Sequence, residues 1–164
     1  MRIVGIDPGS ILCGYGVVEQ DDRKNLLHVS SGVIALPKKE PLHIRLKQLH
    51  EDIRDIMKLY DPEQAVIEKV FFAKGVKAAL HLGHARGVIL LAVAEEGVVL
   101  QEYSPNEIKK AVVGYGRAEK RQVQKMVKTI LSLDEEPSPD GADALALAIC
   151  HLNTMNFRSC LVDP

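Results

Sequence analysis

Cysteine is scarce in this chain: Cys13, Cys150 and Cys160 are odd in number and show no Cys-x-x-Cys spacing. Neither a disulfide framework nor a zinc site is indicated, and reduced, partly buried thiols are the expectation. Long apolar runs are missing too, since none reaches the ~20 residues of a membrane span. The opening Met1-Arg2-Ile3-Val4-Gly5 has neither the charged nor the apolar region of a signal peptide. A soluble, cytoplasmic protein is therefore expected. There is no internal repeat or low-complexity tract, and Gly114-Tyr115-Gly116 is too isolated to serve as a phosphate loop. What is present, 164 residues that are 46% hydrophobic and 26% charged, suits one domain over 1–164 with a real core, ending in a flexible tail from about residue 154.

The net charge of −1 conceals a segregation along the chain. Between Lys109 and Lys128 the local balance is +6, carried by Lys109, Lys110, Arg117, Lys120, Arg121, Lys125 and Lys128 against Glu119 alone. From Ser132 to Pro164 the balance is −5. A basic stretch can neutralise phosphates, while an acidic one needs cations before it can approach them. A solvated helix beside a solvated loop explains the same charges equally well.

Residues 2–7, 12–19 and 26–36 read as strands, divided by Pro8-Gly9 and by the polar stretch 21–25, and should form an antiparallel meander. Over 41–60, Leu42, Leu46, Leu49, Ile53, Ile56 and Tyr60 recur at helical spacing, the stripe of a core-facing helix. Gln64-Ala65-Val66-Ile67-Glu68 is a short buried strand, 74–96 a helix in which Gly83 and Gly87 would permit close packing, and 98–103 a further strand. Ser104-Pro105-Asn106-Glu107 has the residues of a capping box with proline at the first helical position. A basic amphipathic helix over 118–132, an acidic loop over 134–139 and a last helix opening at Asp140 complete the chain.

Four carboxylates stand out by position. Asp7 ends the first strand just before the Pro-Gly turn, and Glu68 ends the fourth in the same way. Asp140 and Asp143, three apart, share one face of the last helix's first turn. Capping and dipole compensation explain one acid there better than two. Because a helix separates the meander from the strand at Gln64, that strand should run parallel to the first, so Asp7 and Glu68 should end on one sheet edge, where open α/β sheets place ligands. If the last helix packs its first turn against that edge, four like charges share a pocket and need divalent cations to neutralise them. Oxygen donors of this kind suit Mg²⁺, and two such ions ~4 Å apart can activate water and stabilise the departing oxygen of a phosphodiester. His81 and His84 read as surface histidines.

The segments Gly5-Ile6-Asp7-Pro8-Gly9-Ser10, Ala65-Val66-Ile67-Glu68-Lys69-Val70-Phe71, Leu82-Gly83-His84-Ala85-Arg86-Gly87, Val112 to Lys120 and Asp140-Gly141-Ala142-Asp143-Ala144-Leu145 resemble the RuvC family of bacterial Holliday junction resolvases. The likeness spans nearly the whole chain in order. It implies a ribonuclease H-like α/β fold with a five-stranded mixed sheet, three antiparallel strands then two parallel, flanked by helices. It also implies a homodimer, four-way junction DNA as substrate, Mg²⁺ as cofactor, two per site with Mn²⁺ able to substitute, and RuvA and RuvB as branch-migration partners. Asp7, Glu68, Asp140 and Asp143 match the family's metal-binding acids, and Lys109 and Lys120 its basic residues near the scissile phosphate. Phe71 matches an aromatic that stacks on bases, and Lys74, Arg86, Lys110, Arg117 and Arg121 are further expected DNA contacts. Lys69 and Gly141 depart from the family pattern, the first altering local charge and the second loosening the helix start between two acids. The rivals are a YqgF-like nuclease of the same fold acting on RNA precursors and a non-catalytic DNA-binding protein. A sugar-kinase-like ATPase would need a second phosphate loop and a second domain, which this chain lacks.

Overall fold

The computed structural model describes residues 1–69 and 75–162. Strands β1 (Arg2–Asp7), β2 (Leu12–Gln20) and β3 (Leu26–Ala35) form the expected meander. They are followed by α1 (Leu42–Tyr60), β4 (Gln64–Glu68), α2 (Val76–Glu95), β5 (Val99–Tyr103), α3 (Pro105–Val113), α4 (Lys120–Ile130) and α5 (Pro139–Val162). The sheet order is β3-β2-β1-β4-β5. β1 pairs antiparallel with β2 and parallel with β4, and β4 pairs parallel with β5. This is the mixed sheet the strand patterns require.

Alternation along the strands sorts the core into two layers. Val4 and Ile6 of β1, with Ala65 and Ile67 of β4, pack against α1 and α2. Ile3 and Val66 face the other way and pack with α3, α4 and α5. Counting in twos, Asp7 and Glu68 fall on that second face. The last paired residues of the two strands are Ile6 and Ile67, so Asp7 and Glu68 follow side by side at the carboxyl edge.

α5 lies on this face almost in backbone contact with the sheet. A Cβ on Gly5 would sit 1.9 Å from the Ala144 carbonyl oxygen, one on Gly14 2.1 Å from that of Asp140, and one on Gly16 2.7 Å from the Leu145 nitrogen. Gly5 and Gly16 are cross-strand partners, as are Asp7 and Gly14. The side-chain-free patch therefore lets the last helix settle deeply enough to bring its first turn down to the strand ends. Residues 154–162, expected as a tail, continue this helix.

Two expectations change on the opposite face. Gly83 and Gly87 make no close helix packing among the described residues, none of which comes within 4 Å of where either Cβ would be. α2 meets α1 through Ala85, Ile89, Ala92 and Val93 instead, and leaves Val76, Leu80 and Leu91 exposed. By length and a mean hydropathy of 1.3, α2 is also long and apolar enough to cross a bilayer, which the search for continuous apolar runs missed because charged residues and histidines punctuate it. The thiols of Cys13 and Cys150 are buried and free, and burial pushes both up to about 12.

Candidate active site

Each side chain of the site is held by a different local device. Asp7 is presented by β1, whose following turn is pinned from α1: Arg45, buried in the helix, donates from Nη1 to the Ser10 carbonyl at 2.8 Å. Glu68 ends β4 opposite Tyr103 of β5, and the next residue's N–H donates to the Tyr103 carbonyl at 2.8 Å. The Tyr103 hydroxyl and His151 Nδ1 share a buried 2.8 Å hydrogen bond that ties α5 to β5. α3, which carries Lys109, opens with the predicted capping box: Ser104 Oγ accepts from the Glu107 N–H at 3.3 Å, and the Glu107 carboxylate accepts from the Ser104 N–H at 2.7 Å. Ser104→Ala should therefore cost about 1 kcal/mol and lower the thermal midpoint by about 3 °C, which a melt of the purified variant reads directly.

α5 begins one residue before Asp140. Pro139 takes the first helical position, and Ser138 Oγ accepts from the Gly141 N–H at 3.2 Å. Gly141 was expected to loosen this turn, yet it is buried, capped, and regular in its helix. Lys69 is exposed, and its charge acts on Glu107.

Asp7, Glu68 and Asp143 line one cavity of about 240 Å³, together with Lys109, Lys120 and the apolar wall of Ile108, Val123, Ala146 and Leu147. That is below the volume of a drug-sized pocket and suits a backbone phosphate with its ions better than a whole nucleotide. Asp140 does not line the cavity, although its charge reaches Asp7. Among the described residues no three acids, histidines or cysteines already stand close enough to share one ion. The carboxylates nonetheless feel one another as like charges.

The electrostatics record that repulsion. Burial first, then the charges of Asp143, Glu68 and Asp140, pushes the Asp7 carboxyl up to about 7, against the pull of Lys120. Burial and Asp143 also raise Glu68, while Lys120 and Lys109 lower it. Lys120, at the start of α4, donates from Nζ to Asp143 Oδ2 at 2.8 Å, and this bond holds its ammonium above the ordinary lysine range. The donor set is all carboxylate oxygen, which fits a hard divalent cation. Its raised carboxyls are what such a cation would relieve.

The other expected DNA contacts divide. Lys110, Arg117 and Arg121 are exposed on α3, the following loop and α4, the elements that also carry Lys109 and Lys120. Arg86 is not so placed: its side chain is largely buried on α2, and Nη2 is engaged by Glu102 of β5. Phe71 and Lys74 lie outside the described residues. The sequence reading missed Arg45 and the glycines under α5. The signals were available, as one arginine within an otherwise apolar helical stripe, and as Gly5 in the first strand with Gly14 and Gly16 two apart in the second.

Comparison with known proteins places this geometry. The model for crossover junction endodeoxyribonuclease RuvC matches residues 3–151. The RuvC of Koribacter versatilis (strain Ellin345) is 49% identical over 155 residues, covering 94% of this chain and 93% of the relative. The structure of Thermus thermophilus RuvC is similar with a TM-score of 0.86 and 34% identity, over 96% of this chain and 97% of that one. T. thermophilus RuvC in complex with Holliday junction substrate gives 0.90 and 33%, over 97% of each chain. The yeast mitochondrial Holliday junction resolvase Ydc2, at 13% identity and a TM-score of 0.70 over 96% of this chain and 82% of its own, shares the fold. The fold is thus the expected ribonuclease H-like one, and the chain belongs to the RuvC family of crossover junction endodeoxyribonucleases.

Proposed function

We propose that this protein resolves Holliday junctions, nicking two DNA strands of like polarity as a two-fold homodimer and leaving 5′-phosphate and 3′-hydroxyl ends. The observation that carries the reading is the cavity in which Asp7, Glu68 and Asp143, from three separate elements, meet Lys109 and Lys120 in a chain of this family. The metal is Mg²⁺, two per site with Mn²⁺ as a substitute, held by Asp7, Glu68, Asp140 and Asp143. When bound it would supply an activated water and offset charge on the phosphate.

The chain's own residues do the rest. Lys109, close enough to lower Glu68, holds a phosphate oxygen at the cavity and opposes the charge that grows on it. Ile108, Val123 and Leu147 keep the rear of the cavity apolar and strengthen these charge interactions. Lys110, Arg117 and Arg121 form a basic rim that neutralises the flanking backbone; by the family likeness Phe71 stacks on bases at the junction centre, and Lys74 is a further DNA contact. The apolar residues Val76, Leu80 and Leu91 exposed on α2 support a second copy as the dimer partner. RuvA and RuvB as partners, and a cytoplasmic location, follow from the same family reading.

Asp7 makes the reaction pH-dependent. Metal binding needs its ionised form, and with its carboxyl at about 7 a metal must displace a proton at any lower pH. The metal concentration for half-maximal cleavage should therefore rise up to about tenfold per unit of pH below 7, flattening above it. Magnesium titrations of cleavage at pH 6 and pH 8 measure this, and equal half-saturation at both would contradict it.

A YqgF-like nuclease remains the rival on the same fold. Comparing a synthetic four-way junction, a linear duplex of the same sequence and a structured RNA in Mg²⁺ separates the two. The resolvase cuts the junction in paired, symmetric positions and leaves the others largely intact. Preferential cleavage of the RNA would overturn the assignment.

A further inference from the structure

Lys120 sits in the place where a cation would neutralise the site. Its ammonium contacts Asp143 at 2.8 Å and lowers both Asp7 and Glu68, so one positive charge already serves three acids on three elements. Its own side chain is 81% exposed while that of Asp143 is 27% exposed, so the lysine can swing outward at little cost while the acid stays. Lys109 lines the same cavity, yet among the described residues it has no ion pair with an acid. The two lysines therefore differ in a way their shared basic character does not show.

We infer that Lys120 is a built-in counter-ion that competes with the metal for Asp143, and that an incoming DNA phosphate draws it away and so admits the metal. This rests on the reading of the four acids as a metal site and deepens it. A carboxylate cannot satisfy an ammonium and a divalent cation at one oxygen without bringing the two positive charges together. A phosphate entering the cavity offers Lys120 an alternative anion with fixed charge. Metal loading is then coupled to substrate, and in the metal-free protein Lys120 offsets part of the repulsion within the cluster. The result is a nuclease whose site fills most readily where DNA is already seated.

The test is a calorimetric titration of the full chain with Mn²⁺ in the absence of DNA, for wild type, Lys120→Ala, Lys120→Arg and Lys109→Ala. Lys120→Ala should bind Mn²⁺ about fivefold more tightly, the scale of one exposed ion pair, even though it cleaves more slowly. Lys120→Arg, which keeps the ion pair, should resemble wild type. Lys109→Ala should tighten binding less than Lys120→Ala. Unchanged or weaker binding by Lys120→Ala, or equal tightening by Lys109→Ala, would overturn the proposal. A wild type that binds no Mn²⁺ would instead strike at the metal-site reading beneath it.

A second arm addresses the coupling. In wild type the Mn²⁺ concentration for half-maximal single-turnover cleavage of a junction should lie well below the dissociation constant without DNA, and in Lys120→Ala this gap should narrow. A gap of the same size in both proteins would show that the phosphate does not act through Lys120.

Discussion

Asp7→Asn should reduce junction cleavage by about a thousandfold while leaving junction binding nearly unchanged, and should at the same time make the metal-free protein more stable at pH 8. The loss follows from position: Asp7 is the side chain beside Glu68 at the strand edge and the acid most strongly influenced by all the others. Asparagine keeps its shape but offers one neutral oxygen, too weak to hold a divalent cation among the remaining acids. Binding survives because the residues expected to contact phosphate lie on α3, α4 and the loop between them.

The stability gain is a matter of sign. The folded protein raises the Asp7 carboxyl from 3.8 to about 7, so between those values the folded state holds a proton that the unfolded state has released. Its stability therefore falls as pH rises through that window, and the full penalty stands above it. Removing the charge should recover about 2 kcal/mol after allowance for relaxation, or roughly 5 °C in thermal midpoint, at pH 8. The gain should vanish at pH 4, where Asp7 is largely protonated in the fold. Melts of both proteins with chelator at the two pH values give the comparison, and a destabilised Asp7→Asn at pH 8 would contradict the account.

Gly5→Ala and Gly14→Ala should separate stability from catalysis. At Gly5 the added methyl would meet the Ala144 carbonyl oxygen at 1.9 Å and Leu147 Cβ at 3.0 Å, in the middle of both strand and helix. Neither backbone can move without unseating the core, so a loss of about 3 kcal/mol or more is expected, lowering the midpoint by roughly 10 °C. At Gly14 the methyl would press on the Asp140 carbonyl at 2.1 Å, beside the helix end, where the first turn can tilt away. That variant should keep most of its stability and still lose about a hundredfold in cleavage, since ~1 Å at reacting groups is costly. Thermal melts and cleavage rates on the same preparations distinguish the two, and a Gly14→Ala protein cutting at the wild-type rate would mean that the height of the first turn does not matter.

Most elements were readable because their periodicities differ. The apolar run over 2–7, closed by Pro8-Gly9, and the spacing of Leu49, Ile53 and Ile56 place β1 and α1 to within a residue or so. Parallel pairing of the first and fourth strands followed from the helix between them, and it places Asp7 beside Glu68. The depth of α5 was not readable in that way. It depends on Gly5, Gly14 and Gly16, which become one patch only once β1 and β2 are paired, and their local signal is merely that of weak strand residues. Periodicity also could not show that Asp140 stands off the cavity that Asp143 lines, nor that Arg86 is occupied by Glu102. Those outcomes depend on partners distant in sequence. Gly83 and Gly87 signalled a close approach, and among the described residues no such approach is made.

The proposed metal site brings four carboxylates together at the meeting of β1, β4 and α5. Crystals grown with Mn²⁺ and analysed by anomalous scattering test this most directly. The expected result is metal density bounded by Asp7, Glu68 and the first-turn acids of α5, with Lys120 moved off Asp143. Density at another location, or an unoccupied cluster in which Lys120 still holds Asp143 at saturating metal, would contradict it.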